Sequence, residues 1–302
     1  MDIFSALLII SGLVLFETIS SVDNAIINAE VLSTMGQKMR RWFLVWGLFL
    51  AVFLIRGVLP FLIVFSLNPS LGLIGTITAT FSSDPQVAHA IEQSAPILLV
   101  GGGVFLLFLF FHWLFMEPKH YGLKGERFLH SQGVWFYAVI SVILAIIVWF
   151  AIQDHPLMAF GAVVGSTAFF ITHGFKQNAE QAEKKLIKAN LSDWSKIFYL
   201  EVIDATFSID GVLGAFAFTL SVPLILLGNG IGAVVVRQIT VGNIERIKKY
   251  IYLKNGAMYS ILILGYVMVM HSFGLDIPEW LSPIATFIIV GYFFFKSRQT
   301  LK

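Results

Sequence analysis

Carboxylates recur at one spacing in two apolar stretches of this chain. Glu17-Thr-Ile-Ser-Ser21-Val-Asp23-Asn24 lies in the first, and Asp204-Ala-Thr-Phe-Ser208-Ile-Asp210-Gly211 lies in the second, nearly two hundred residues later. Both copies read acid, three residues, Ser, Val or Ile, Asp, then a turn-forming residue. A charged side chain inside a membrane is costly unless something pairs with it, so a repeated acidic pattern points to a shared polar site. The candidate ligands are Glu17, Asp23, Asn24, Glu201, Asp204 and Asp210, with Ser21 and Ser208 in support. All of them offer oxygen, which suits hard divalent cations such as Mn²⁺, Mg²⁺ or Ca²⁺. Zinc or copper would favour His or Cys. The chain has no cysteine, and its seven histidines are scattered, with His112, His173 and His271 at the ends of apolar stretches. Arg56 and Arg237 sit in the stretches that follow each motif. They are partners for buried acids in the empty site, and in a purely structural alternative they only hold helices together. Glu30 closes the first stretch, where an interfacial role and a site role are both open.

The elements that carry these residues follow from composition. The chain has 302 residues, 57% hydrophobic and only 13% charged, against about a quarter charged in soluble domains. This is the profile of an all-α polytopic membrane protein. A spanning helix needs about 20 apolar residues, which gives about nine transmembrane helices: 3–33, 42–66, 94–116, 134–152, 157–175, 195–220, 222–241, 256–272 and 281–296. The stretch 70–93 is too polar to span and reads as an external loop with a short surface or re-entrant helix. The N-terminus lacks the basic region and cleavage site of a removable signal, so the first run reads as a retained span. A net charge of +2, carried in short loops, points to no nucleic acid partner.

Every second loop is basic. Lys38, Arg40 and Arg41 follow span one, Lys119, Lys124 and Arg127 follow span three, and Lys176 to Lys196 separate spans five and six. Arg246 to Lys254 follow span seven, and Lys296, Arg298 and Lys302 end the chain. Positive loops face the cytoplasm, which predicts an external N-terminus and a cytoplasmic C-terminus in a plasma membrane, such as a bacterial inner membrane. The two acid motifs then lie on oppositely directed helices. Spans one to three and six to eight form an expected inverted-topology repeat, the arrangement that builds transporter sites at the midplane. The organisation is one transmembrane domain: residues 1–116 the first repeat, 117–194 connecting spans and a cytoplasmic polar helix, 195–272 the second repeat, and 273–302 an extra C-terminal span.

Helical geometry constrains the site. In an unbroken helix Glu17 and Asn24 share a face, as do Glu201, Asp204 and Ser208, while residues six apart are rotated by roughly 120°. Convergence of all the acids therefore predicts local breaks after Ser21 and after Ser208, whose freed carbonyls would add ligands. Gly161 with Gly165, the run Gly101 to Gly103, and Gly228, Gly230 and Gly232 read as sites of close helix approach.

The same motifs carry a family resemblance. Glu17-x-x-x-Ser21-Val-Asp23-Asn24-Ala25 and Glu201-Val-Ile-Asp204-Ala-Thr-Phe207-Ser208-Ile-Asp210-Gly211 resemble the two signature motifs of the TerC family of integral membrane proteins, within the LysE-type exporter superfamily. The continuation Gly214-Ala-Phe-Ala, with Gly232-Ala-Val-Val-Val-Arg237-Gln-Ile-Thr-Val and Lys254-Asn-Gly-Ala-Met-Tyr259, resembles a branch long filed as a domain of unknown function. The resemblance implies a metal-ion exporter, usually of Mn²⁺, with some members linked to tellurite resistance or Ca²⁺ handling. The family's motif acids carry over onto Glu17, Asp23, Asn24, Glu201, Asp204 and Asp210. Gly211 departs from the common pattern, where a second Asp-Ser or Asp-Asn pair stands.

The expected function is export of a divalent cation, Mn²⁺ or Ca²⁺, by alternating access around a midplane carboxylate site. The metal is substrate, and no prosthetic group is expected. Protonation of Asp23 or Asp210 on release would supply proton antiport. The rivals are a proton-coupled transporter of another cation, a tellurite-resistance-type membrane protein, and a partner subunit that loads metal onto exported metalloenzymes. A homo-oligomer is compatible with each. An intramembrane aspartyl-type hydrolase lacks its Gly-x-Gly-Asp motif, since Gly228-Asn-Gly230 is followed by Ile231.

Overall fold

The computed structural model describes residues 2–47, 49–50, 58, 61–62, 65, 72, 85–188, 192–242 and 244–301. Within helices, the side chains of 23, 27, 85–93, 179–180, 182–188, 206–207, 241–242 and 244–245 lie outside the description. The regular elements are helical throughout: α1 Ile3–Ser20, α2 Val22–Ser33, α3 Gln37–Trp42 running into a π-helical turn Phe43–Gly47, α4 Pro85–Met116 and α5 Glu126–Ser131. They continue with α6 Phe136–Asp154, α7 Pro156–Lys188, α8 Asp193–Ala215, α9 Val222–Gly242, α10 Ile244–Ile247, α11 Leu253–Ser272 and α12 Leu281–Gln299.

Local chemistry sets several of these boundaries. Asp2 caps α1 by accepting the Ser5 N–H at 2.7 Å, and Ser192 caps α8 by accepting the Ser195 N–H at 3.2 Å. Short polar side chains satisfy the orphan donors of a first turn in this way. Between α6 and α7, Pro156 opens the new helix and forces His155 into extended backbone at φ −150° and ψ 120°.

Among the described residues, six helical segments are long and apolar enough to cross a membrane: Ile3–Ser20, Ser94–Met116, Gly133–Asp154, Pro156–Asn178, Val222–Thr240 and Leu253–Ser272. The expected spans six and nine are present as α8 and α12. They fall short of that composition because α8 carries Asp193, Lys196, Glu201, Asp204 and Asp210, and α12 ends with Lys296 and Arg298. Expected span two falls mostly outside the described residues. Residues 85–93, expected in an external loop with a short surface or re-entrant helix, are helical and prolong α4 by more than two turns. Polarity bars a segment from hydrocarbon, but it does not bar a helix. The polar helix expected after 176 is likewise present, as the continuation of α7 to Lys188 and not as a separate element.

α4 is the most enclosed of the six apolar segments. It is held between α7 and α11 by glycines that let backbones touch. A Cβ on Gly161 would meet the Ile97 carbonyl oxygen at 2.7 Å, and one on Gly165 would overlap that of Gly101. On the opposite side, a Cβ on Gly103 would lie 2.9 Å from the Gly265 carbonyl oxygen, and one on Gly265 3.2 Å from that of Gly103. Large apolar side chains, Phe105, Phe108, Trp113 and Phe169 among them, fill the core around this crossing. α6 packs on the outside of α7, with Trp135 and Trp149 exposed near its two ends, as aromatic residues are at both interfaces of a bilayer. A smaller core of Val31, Leu32, Met35, Phe43, Ile197 and Leu200 joins α2, α3 and the first half of α8.

Three lysines tie neighbouring elements together. Lys254 pairs with Glu117 at 3.0 Å, Lys248 with Glu30 at 3.6 Å, and Lys296 donates to the Gly122 carbonyl. Buried Glu126 adds further ties. Its carboxylate accepts the N–H groups of Gly122 and Leu123 at 2.7 and 3.0 Å, Asn255 Nδ2 at 3.1 Å and the Tyr259 hydroxyl at 3.0 Å. The motif Lys254-Asn-Gly-Ala-Met-Tyr259 is therefore a fastening between α11 and the loop after α4.

The α4–α7 crossing yields a stability prediction. Gly165→Ala should destabilise the protein by about 1–3 kcal/mol, the usual range for overpacking. Gly291→Ala, in open space on α12, should be neutral or mildly stabilising. Thermal unfolding in detergent, monitored by tryptophan fluorescence, distinguishes the two.

Candidate functional site

α1 and α2 run past α8 in the opposite direction, and four contacts fix their register. The Gly36 N–H donates to Asp193 Oδ2 at 3.1 Å, and Lys196 Nζ donates to the Thr34 hydroxyl at 3.0 Å. Further along, Asn24 Nδ2 donates to Asp204 Oδ1, and Glu17 lies against Gly211. Each step back along α2 and α1 is matched by a step forward along α8. The two acid motifs therefore lie side by side, motif against motif. Aligning the motifs equates Glu17 with Asp204 and Asn24 with Gly211. Under that exchange the Asn24–Asp204 contact becomes the Gly211–Glu17 contact, and both are present.

The seam is dry. Glu17, Asn24 and Asp204 retain 1%, 3% and 5% of their accessible surface, and Ser208 is equally buried. Glu17 Oε1 accepts the Ser21 hydroxyl at 2.7 Å. Two glycines make room for the Glu17 side chain: a Cβ on Gly211 would lie 2.7 Å from Oε2, and one on Gly232 would lie 2.7 Å from the Glu17 Cβ. This close approach explains the absence of a side chain at Gly211. Both motif serines bond four residues back, Ser21 to the Glu17 carboxylate and Ser208 to the Asp204 carbonyl at 2.6 Å.

The expected helix breaks are realised unequally. α1 and α2 part at Ser21, with φ −91° and ψ 4°, yet Ser21 N–H still donates to Glu17 O and its carbonyl accepts from Ala25 N–H. The interruption frees little backbone. α8 runs unbroken through Ser208, Asp210 and Gly211, so no carbonyls are released there. An unbroken helix turns Asp210 roughly 120° away from Asp204.

Several acceptors in and beside the seam lack donors. Asn24 Oδ1, Asn28 Oδ1 and both carboxylate oxygens of Glu201 are buried with no hydrogen-bond partner among the described residues. The antiparallel register sets Asn28 level with Glu201. Glu201 also lies against Gly47, and its charged neighbours are Asp204 and Arg237. Arg237 is buried, with its guanidinium carbon 4.1 Å from the centre of the Phe43 ring, so it bridges helices inside the protein instead of reaching for the interface. Glu30 is half exposed and pairs with Lys248 at 3.6 Å. Arg56 and the Asp23 side chain lie outside the described residues. Among the described residues, no three His, Asp or Glu side chains converge tightly enough to hold a metal ion. The oxygens gathered at the seam are a mixture of carboxylates and amides.

Asp210 belongs to a second location. Its Oδ2 accepts from Lys176 of α7, and the pair lines a cavity of about 580 Å³ that also borders Ser20, Val22, His112 and His173. The His112 and His173 rings are 4.0 Å apart, centre to centre, so these two histidines are neighbours and not scattered. At the cavity's edge Glu117 meets Lys254 at 3.0 Å and His112 at 3.4 Å. Burial alone would raise the Glu117 carboxyl, but His112 and Lys254 outweigh it and hold it well below the usual carboxylate range.

Two residues at these locations escape a motif search. Asn28 stands one turn after Asn24 on the same face, a spacing visible in the chain. Lys176 reads as a loop cation because its partner is distant in sequence and α7 continues past the apolar stretch.

A family model described as a protein of unknown function, DUF475, matches residues 22–300. The match covers most of the chain, including Asp23, Asn24 and the whole second motif, and the chain belongs to this family. No curated protein and no solved structure matches it.

The seam yields a coupling prediction. Asn24→Ala leaves Asp204 without its donor and should cost about 1–3 kcal/mol, as for other buried charged acceptors. In the double variant Asn24→Ala, Asp204→Ala the two losses should fall short of additivity by more than 0.5 kcal/mol, roughly the threshold for contacting residues. A thermal-stability cycle measures it.

Proposed function

We propose that this DUF475 member carries a divalent metal cation, Mn²⁺ in the first instance, across a membrane along the oxygen-lined seam between α2 and α8. The observation that carries the reading is the set of buried acceptors without donors among the described residues: Asn24 Oδ1, Asn28 Oδ1 and both oxygens of Glu201. Leaving such a group unsatisfied costs about 1–3 kcal/mol, and a cation would satisfy several at once. Carboxylates and amide oxygens suit hard cations. A set that mixes three acids with two amides binds more weakly than a cage of carboxylates alone, and transport requires that the ion leave as well as enter.

The mechanism we propose is alternating access by an inverted repeat. In its favour, the Asn24–Asp204 and Glu17–Gly211 contacts exchange when the motifs are exchanged. The corresponding third spans, α4 and α11, cross on the matched glycines Gly103 and Gly265. Rocking about such a crossing would open the seam first to one side and then to the other. Glu17, Asn24, Asn28, Glu201 and Asp204 are the proposed seam ligands, with Ser21 holding the Glu17 carboxylate and Ser208 bonded to the Asp204 backbone carbonyl. Arg237 would offset carboxylate charge when the seam is empty. The resemblance to TerC-type exporters supplies the direction, from cytoplasm to outside, with the basic loops on the cytoplasmic face of a plasma membrane.

The test is radioactive or fluorescent uptake of Mn²⁺, Ca²⁺ and Mg²⁺ into proteoliposomes. Asp204→Asn and Glu201→Gln should each lower Mn²⁺ flux about tenfold or more, the equivalent of one lost charge-assisted contact of roughly 1.4 kcal/mol. Wild-type flux through both variants would remove the seam from the mechanism, and no flux of any cation by the wild type would remove transport.

A further inference from the structure

Among the described residues, the charges that line the cavity beside the seam are paired. Lys176 answers Asp210, and Lys254 answers Glu117, which His112 also approaches. A divalent cation entering such a cavity at a carboxylate must share that carboxylate with an ammonium already in place, or expel it. The Asp210–Lys176 pair is suited to exchange. Asp210 Oδ2 is engaged by Lys176, while Oδ1 is buried with no hydrogen-bond partner among the described residues. A single ammonium thus leaves half of the carboxylate unused, which a dication of higher charge could take up. Lys176 carries its charge on a flexible four-carbon stem that is strongly hydrated once released, and both side chains border a cavity roomy enough for water. Asp210 is also displaced from Asp204 by only about 9 Å along the axis of α8, so a cation held there stands next to the seam.

We infer that Lys176 is a built-in substitute for the transported cation. It occupies Asp210 while the cavity is empty, and a divalent ion arriving through the cavity takes Asp210 by displacing it. This rests on the transport reading and extends it with a second station and a gating residue. It also makes Lys176 a determinant of affinity without being a ligand. A purely structural ion pair would keep Lys176 buried whether or not metal is bound.

The experiment uses the wild-type protein in lipid nanodiscs, labelled with a water-soluble amine-reactive ester with and without MnCl₂ at matched ionic strength. Modification is read by mass spectrometry at Lys176, now 13% exposed at its side chain, with exposed Lys124 as the internal reference. Mn²⁺ should speed modification of Lys176 about tenfold or more relative to Lys124, a shift of roughly 1.4 kcal/mol in its release. In parallel, Lys176→Gln should tighten Mn²⁺ binding by a similar factor, Lys176→Arg should retain wild-type affinity, and adding Asp210→Asn to Lys176→Gln should cancel the gain. If the wild type binds Mn²⁺ while Lys176 labelling is unchanged and Lys176→Gln keeps wild-type affinity, the exchange is overturned and the seam reading stands. If the wild type binds none of Mn²⁺, Ca²⁺ or Mg²⁺, the transport reading fails and the exchange fails with it. Should Lys176→Gln fail to fold, the labelling result on the wild type decides alone.

Discussion

A carboxylate placed in an apolar helix has to be answered by the helix beside it, and this requirement organises the molecule. α1 and α2 lie antiparallel to α8 because that arrangement sets Asn24 on Asp204 and leaves Glu17 facing a position with no side chain. In this register each acid meets a polar partner or a position with room for it. Desolvating an unpaired carboxylate costs far more than a shift in apolar packing gains. The glycines on the adjoining elements serve the same need. Gly211 and Gly232 admit the Glu17 side chain, and Gly47 admits that of Glu201.

The continuity of α8 then separates the polar groups into two stations. Asp204 and Asp210 belong to one motif, but six residues of unbroken helix turn them roughly 120° apart. Asp204 faces α2, and Asp210 faces Lys176 on α7. Among the described residues, the seam is enclosed and contains acceptors without donors, whereas the cavity is wider and its charges are paired. α4, the most enclosed of the apolar segments, crosses α7 and α11 at glycines.

Much of the fold was legible in the chain because its causes are local. Bilayer thickness prescribes the length of apolar stretches, and helix-breaking residues such as Pro156 mark where they stop. The motif acids declared themselves by repetition, and the glycine runs by their spacing. The departures concern where helices begin and end. Residues 85–93, expected in an external loop with a short surface or re-entrant helix, and the stretch after 176, expected as a cytoplasmic polar helix of its own, are both helical but continuous with the apolar helices α4 and α7. A break after Ser208 was expected from the turn tendency of Asp-Gly. Packing against Glu17 uses that glycine for space instead of for flexibility.

By itself, then, the sequence determined the class of the protein, the positions of its apolar helices, and the chemical character of its polar residues: hard oxygen donors repeated on two segments. These follow from composition and short-range periodicity, which act within a few turns of helix. Only the tertiary structure decided which acid meets which partner. Pairing of Asn24 with Asp204, exclusion of Asp210 from that seam, its capture by Lys176 and the alignment of Asn28 with Glu201 all depend on how distant helices are registered. That register is fixed by burial and charge compensation summed over the whole bundle, which no local pattern encodes.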